Sequence, residues 1–121
     1  MKENIVKDKS FAFALRIVEM YKYLRVKKKE YIMSKQLMRS GTAIGAMIRE
    51  SEQAESTPDF IHKLSIALKE ANETEYWIDL LYLSKHMDEK SYNSISIDIK
   101  ELLRMLTSII KTTKSNKKID S

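Results

Sequence analysis

Both glycines of the 121-residue chain fall in one run, Gln36-Leu37-Met38-Arg39-Ser40-Gly41-Thr42-Ala43-Ile44-Gly45-Ala46-Met47-Ile48-Arg49-Glu50. The residues around Gly41 and Gly45 are patterned as helix, and positions four apart share a helix face. Each interior glycine weakens a helix by roughly 1 kcal/mol relative to alanine. Such a pair persists where a neighbour comes too close for a Cβ, so the run constrains the fold to a helix pressed hard against its neighbours. A glycine loop cradling phosphate would have to open onto a helix, whereas this pair lies within one.

The rest of the composition is consistent with helices throughout. Two glycines and one proline leave too few turn residues for a sheet protein, and charged residues make up 32% of the chain. One domain is expected at this length. The absence of cysteine rules out disulfides and thiolate zinc sites. No apolar run approaches the roughly 20 residues of a membrane span, and Met1-Lys2-Glu3-Asn4 lacks the apolar stretch of a signal peptide. A cytoplasmic protein with no membrane partner is expected.

Apolar spacing predicts four helices, over about 5–28, 31–54, 58–86 and 89–114. In the first, Phe11, Ala14, Val18 and Tyr21 form one stripe and Phe13, Ile17, Met20 and Leu24 a second, which is expected to extend beyond the bundle seam. Leu37, Gly41, Ile44 and Ile48 form the seam of the second helix. Phe60, Leu64, Ala67, Ala71, Thr74, Ile78 and Leu81 form that of the third. Tyr92, Ile95, Ile99, Leu102, Leu106 and Ile109 form that of the fourth. Thr57-Pro58-Asp59 reads as N-cap, first helical residue and first-turn acid, and Asp88 as the cap of the fourth helix. Short connections make an antiparallel up-down-up-down four-helix bundle over residues 1–114, followed by a disordered basic tail, 115–121. Apolar surface left over, including Tyr76, Trp77, Leu80 and Leu83, points to a homo-oligomer, with Gly41, Gly45 and Trp77 as packing or oligomer residues.

Ser40-Gly41-Thr42-Ala43-Ile44-Gly45-Ala46-Met47-Ile48-Arg49-Glu50, Asp59-Phe60, Leu64-Ser65-Ile66-Ala67-Leu68-Lys69-Glu70-Ala71 and Glu73-Thr74-Glu75-Tyr76-Trp77 resemble the four-helix bundle proteins encoded in intervening sequences of bacterial 23S ribosomal RNA genes. That family is related to the accessory variability protein of diversity-generating retroelements. The resemblance implies a homopentameric ring with a central pore. In the retroelement relatives it implies a basic barrel that binds nucleic acid and partners a reverse transcriptase or another protein encoded nearby. Met47 departs from the pattern, which has a polar residue there.

The net charge of +5, with a pI near 9.3, permits a polyanionic partner. A pentamer would carry about +25. Arg39 and Arg49 lie about three helical turns apart, near one face. The plainer reading of both is ion pairing with Glu50, Glu52, Glu70, Glu73 or Glu75, and Arg49, with Glu50 and Glu52 beside it, is expected to form such a pair. Arg39 has no acidic residue within a turn and is the better phosphate contact. Arg25, Lys28 and Lys35 extend the candidate RNA or DNA interface; solvated surface charge is the plainer alternative. Tyr21, Tyr23, Tyr31 and Tyr92 could supply stacking rings. Asp59-Phe60-Ile61-His62 is an isolated carboxylate–histidine pair, and Glu70, Glu73 and Glu75 are spread around their helix, so no metal or cofactor is expected. Neither histidine has an orienting partner for nucleophilic catalysis, so a non-enzyme is expected. Two functions remain open: a nucleic-acid-associated oligomeric adaptor, or a protein–protein interaction module.

Overall fold

The computed structural model describes the backbone of residues 2–120 and the side chains of residues 5–116. Four helices account for it: α1 (Lys2–Val26), α2 (Met33–Ser51), α3 (Thr57–Leu83) and α4 (Glu89–Asp120), with no strand among the described residues. α1 packs on α2, α2 on α3, α3 on α4, and α4 on α1, so the helices enclose one core. The core joins Phe13, Ile17 and Leu24 of α1 to Ile44, Ile78, Ile99 and their neighbours on the other helices. No described helix is long and apolar enough to cross a membrane.

The seam of α2 is buried as the spacing predicts, and so are those of α3 and α4 except for Phe60 and Tyr92 near the helix starts, which are half-buried. On α1 the two stripes exchange roles. Phe13, Ile17 and Leu24 are fully buried, whereas Phe11 is exposed and Ala14, Val18 and Tyr21 are half-buried. The reason is the glycine pair. The Cβ of an alanine at position 41 would sit 2.8 Å from Ile17 Cγ1 and 2.9 Å from Ile17 Cγ2. The glycine lets Ile17 fill that space, and the α1 face carrying Ile17 is therefore the one turned inward. Gly45 lies against the Ser10 carbonyl, 3.4 Å from where a Cβ would stand. The pair thus serves packing between α1 and α2 within one protomer. Met47 is half-buried against the core.

Helix ends are set by capping more than by periodicity. The spacing predicts α2 from position 31, but the helix begins at Met33, with Ile32 as an N-cap that makes no side-chain hydrogen bond. The Glu30 carboxylate does the capping instead. It accepts the N–H groups of Ser34 at 2.7 Å, Met33 at 3.1 Å and Ile32 at 3.3 Å, while Ser34 Oγ donates back to the Glu30 carbonyl at 2.7 Å. Burial raises the Glu30 carboxyl, but these N–H groups outweigh it and hold the group below its ordinary value.

At α3 the N-cap is Ser56 rather than Thr57: Ser56 Oγ accepts from Asp59 N at 3.1 Å, and Thr57 and Pro58 lie inside the helix. Asp88 caps α4 as expected, accepting from Ser91 N at 2.7 Å. α3 stops at Leu83, short of His86, because Lys85 turns left-handed with φ 69°. α4 continues to Asp120, taking into the helix residues 115–120 that the composition assigns to a disordered tail; Ser121 lies outside the described residues.

Candidate nucleic-acid interface

The two signature arginines exchange their expected roles. Arg39, predicted to be the unpaired cation, is held by carboxylates from the neighbouring helix. Its guanidinium donates to Glu70 at 3.2 Å and to Glu73, and its Nε donates to Gln36 at 3.2 Å. Glu73 also accepts from Trp77 Nε1 at 2.9 Å. The Trp77 hydrogen bond, followed by that of Arg39, draws the Glu73 carboxyl below the ordinary glutamate range. Beneath this network, Thr74 Oγ1 donates to Ser40 Oγ at 2.9 Å in a buried contact between α2 and α3. Arg39 therefore links α2 to α3 across the surface, and its charge is largely neutralised. Trp77 is half-buried within the protomer, with an edge-on contact to Tyr76.

Arg49, predicted to pair with glutamate, pairs with none among the described residues. Glu50 is taken by Lys63 and Glu52 by Lys7. The guanidinium lies over the ring of Phe11, 5.6 Å from its centroid. An exposed aromatic residue of α1 thus carries an exposed arginine of α2. Beside them runs a groove of about 250 Å³ floored by small residues, Ala14, Thr42, Gly45 and Ala46.

Arg25 is held in the same way, 5.3 Å from the ring of Tyr21 and 5.1 Å from that of Tyr31. Lys35 is exposed on the first turn of α2. Arg25 and Arg49 thus rest on aromatic rings of α1 and the α1–α2 connection and, like the exposed Lys35, form no ion pair among the described residues, whereas Lys7 beside Phe11 pairs with Glu52. Lys28 stands apart, near the α3–α4 connection, where it helps lower the Asp88 carboxyl after the larger effect of the Ser91 hydrogen bonds.

The α1–α4 side has the opposite character. Arg16 binds Asp98 and, at 2.9 Å, Ser94 Oγ, and Lys9 binds Glu101. These pairs bind residues distant in sequence, and no local spacing marks them. No group of three or more His, Cys, Asp or Glu side chains able to hold a metal occurs among the described residues.

Four helices around one core, a glycine pair pressed on α1 and an arginine locked to α3 define an all-α protein of four-helix type. The chain belongs to the 23S rRNA-intervening sequence protein family, whose profile matches residues 2–108. It is also similar to a solved protein of unknown function from the S23 ribosomal protein family of Bacteroides thetaiotaomicron. The two are 58% identical and superpose with a TM-score of 0.90, covering 92% of this chain and 99% of that one. No curated protein matches the chain.

Proposed function

We propose that the protein is a non-enzymatic, cytoplasmic adaptor that binds the backbone of RNA or DNA through the α1–α2 side. One observation carries this reading: Arg25, Lys35 and Arg49 form no ion pair among the described residues, and the two arginines lie against the rings of Tyr21, Tyr31 and Phe11. Guanidinium groups recognise phosphate oxygens, and rings accept bases without regard to sequence. Lys28 adds charge at one end. Arg39 is left out of the interface, since its contacts to Glu70 and Glu73 already use it.

The topology we propose is antiparallel, up-down-up-down. Lys7 near the start of α1 pairs with Glu52 just past α2, and Glu50 near the end of α2 pairs with Lys63 early in α3. We further propose a homo-oligomeric ring, pentameric by resemblance to the family. Leu15 on α1 and Tyr76 and Leu80 on α3 remain exposed in the protomer. They lie on different helices, and a head-to-tail contact between the two patches is the kind that closes rings. The same exposed residues favour the second reading, a protein-interaction module whose charge serves solubility.

Fluorescence anisotropy with a labelled RNA oligonucleotide at low salt separates the two readings. The adaptor binds, and an Arg25→Gln/Lys35→Gln/Arg49→Gln variant binds at least about tenfold more weakly. Absence of binding by the parent protein removes the nucleic-acid reading and leaves the interaction module.

A further inference from the structure

One end of the molecule joins two properties that the α1–α2 side does not use. The α1–α2 and α3–α4 connections meet there, with Lys28 acting on Asp88 and His86 on Glu30. Large aliphatic side chains stand in solvent at the helix termini: Val26 (64% exposed), Ile32 (78%) and Leu83 (75%). Ile32 and Leu83 are the most exposed large hydrophobic residues among those described. Around them Lys27, Lys29 and Lys85 are exposed and form no ion pair among the described residues.

Lys29 and Lys85 also hold left-handed backbone, with φ of 56° and 69°. Glycine adopts this conformation without strain, and helices commonly end on it there. Lysine occupies both positions, where its charge also suits the negative ends of α1 and α3.

The occupant must answer both the aliphatic groups and the lysines. A nucleic-acid backbone offers nothing to Ile32 or Leu83. A second copy meeting end to end would set lysines against lysines. A helical peptide asks for a groove, whereas these side chains sit at helix ends. A bilayer with acidic lipids presents negative headgroups and an apolar layer in a single plane. We infer that this end docks on an anionic lipid surface, with Ile32 and Leu83 entering the interfacial layer and Lys27, Lys29 and Lys85 lying over acidic headgroups. Docking of this kind needs no spanning helix, so it reverses the expectation of no membrane partner, which rested on the lack of one.

The test is flotation of the full chain with phosphatidylcholine vesicles, with and without phosphatidylserine. The protein is expected to float with the acidic vesicles alone. A Lys29→Gly/Lys85→Gly variant loses two cations where glycine relieves the turn. Its melting temperature should equal or exceed that of the parent, while its vesicle affinity falls about 25-fold. An Ile32→Ser/Leu83→Ser variant keeps every charge, and serine suits the α2 N-cap; its affinity should fall about tenfold or more. Failure to float with acidic vesicles at low salt overturns the proposal. So does a serine variant that floats as well as the parent while an RNA oligonucleotide displaces the vesicles, which would assign the lysines to nucleic acid. Failure to float leaves the nucleic-acid reading intact, since that reading rests on Arg25, Lys35 and Arg49.

Discussion

A methyl group at Gly41 would have to displace Ile17, which is fully buried and branched at Cβ. Alanine there gains about 1 kcal/mol of helix propensity and loses about 1–3 kcal/mol to overpacking, so Gly41→Ala should destabilise by up to about 2 kcal/mol. At Gly45 the nearest atoms are 3.4 Å away, an ordinary contact, and Gly45→Ala should be neutral or stabilising by up to about 1 kcal/mol. Urea unfolding of the two variants checks this difference in sign; adding Ile17→Val should recover part of the Gly41→Ala loss.

The Arg39–Glu73–Trp77 contact makes a pH-dependent contribution. Because the folded Glu73 carboxyl lies below its unfolded value, the contribution is complete above the ordinary glutamate pKa of about 4.3 and is lost as pH falls through the lower folded value. Both charged side chains are more than a third exposed, so the effect should stay under about 1 kcal/mol. Glu73→Gln should flatten the acid limb of the stability profile by that amount, with the fluorescence of the single tryptophan reporting unfolding. An unchanged acid limb would mean that the contact contributes nothing.

Among the helices, those with a single apolar seam were the most legible. α2, α3 and α4 bury the residues that their spacing selects, apart from the half-buried Phe60 and Tyr92, because one seam leaves one choice of inward face. α1 carries two apolar stripes, and periodicity alone does not choose between them; the partner does, through the space that Gly41 opens for Ile17. The arginine pairing was hidden for a related reason. Arg39 meets Glu70 and Glu73 across more than thirty residues of sequence; the sequence offers both glutamates as partners for either arginine, but spacing does not say which arginine faces them. Arg49 has acidic neighbours in sequence that turn to other cations.

Helix starts follow the same pattern. Ser56 was one residue from the predicted cap, whereas Glu30 caps α2 from outside the helix. Glu30→Ala removes the acceptor for three N–H groups and should cost about 1–2 kcal/mol, more than Ser56→Ala at about 1 kcal/mol. Thermal melts of both variants decide the order.

For the whole molecule, distribution of charge matters more than its total. The α1–α4 side neutralises Lys9 and Arg16 with Glu101 and Asp98, while Arg25, Lys35 and Arg49 form no ion pair among the described residues. In the proposed ring the α1–α2 side repeats with every protomer, so light scattering at micromolar concentration should give a multiple of the 14.2 kDa chain. A monomer there would limit the interface to one copy. The most direct measurement of the nucleic-acid reading is the slope of log affinity against log salt for a single-stranded oligonucleotide. Each cation that neutralises a phosphate adds about 0.7 to the slope, so Arg25→Gln/Lys35→Gln/Arg49→Gln should lower it by about 2, while Arg39→Gln leaves it unchanged. An equal slope for the triple variant and the parent, or a loss of slope on replacing Arg39 alone, would contradict the assignment of phosphate contacts to the α1–α2 side.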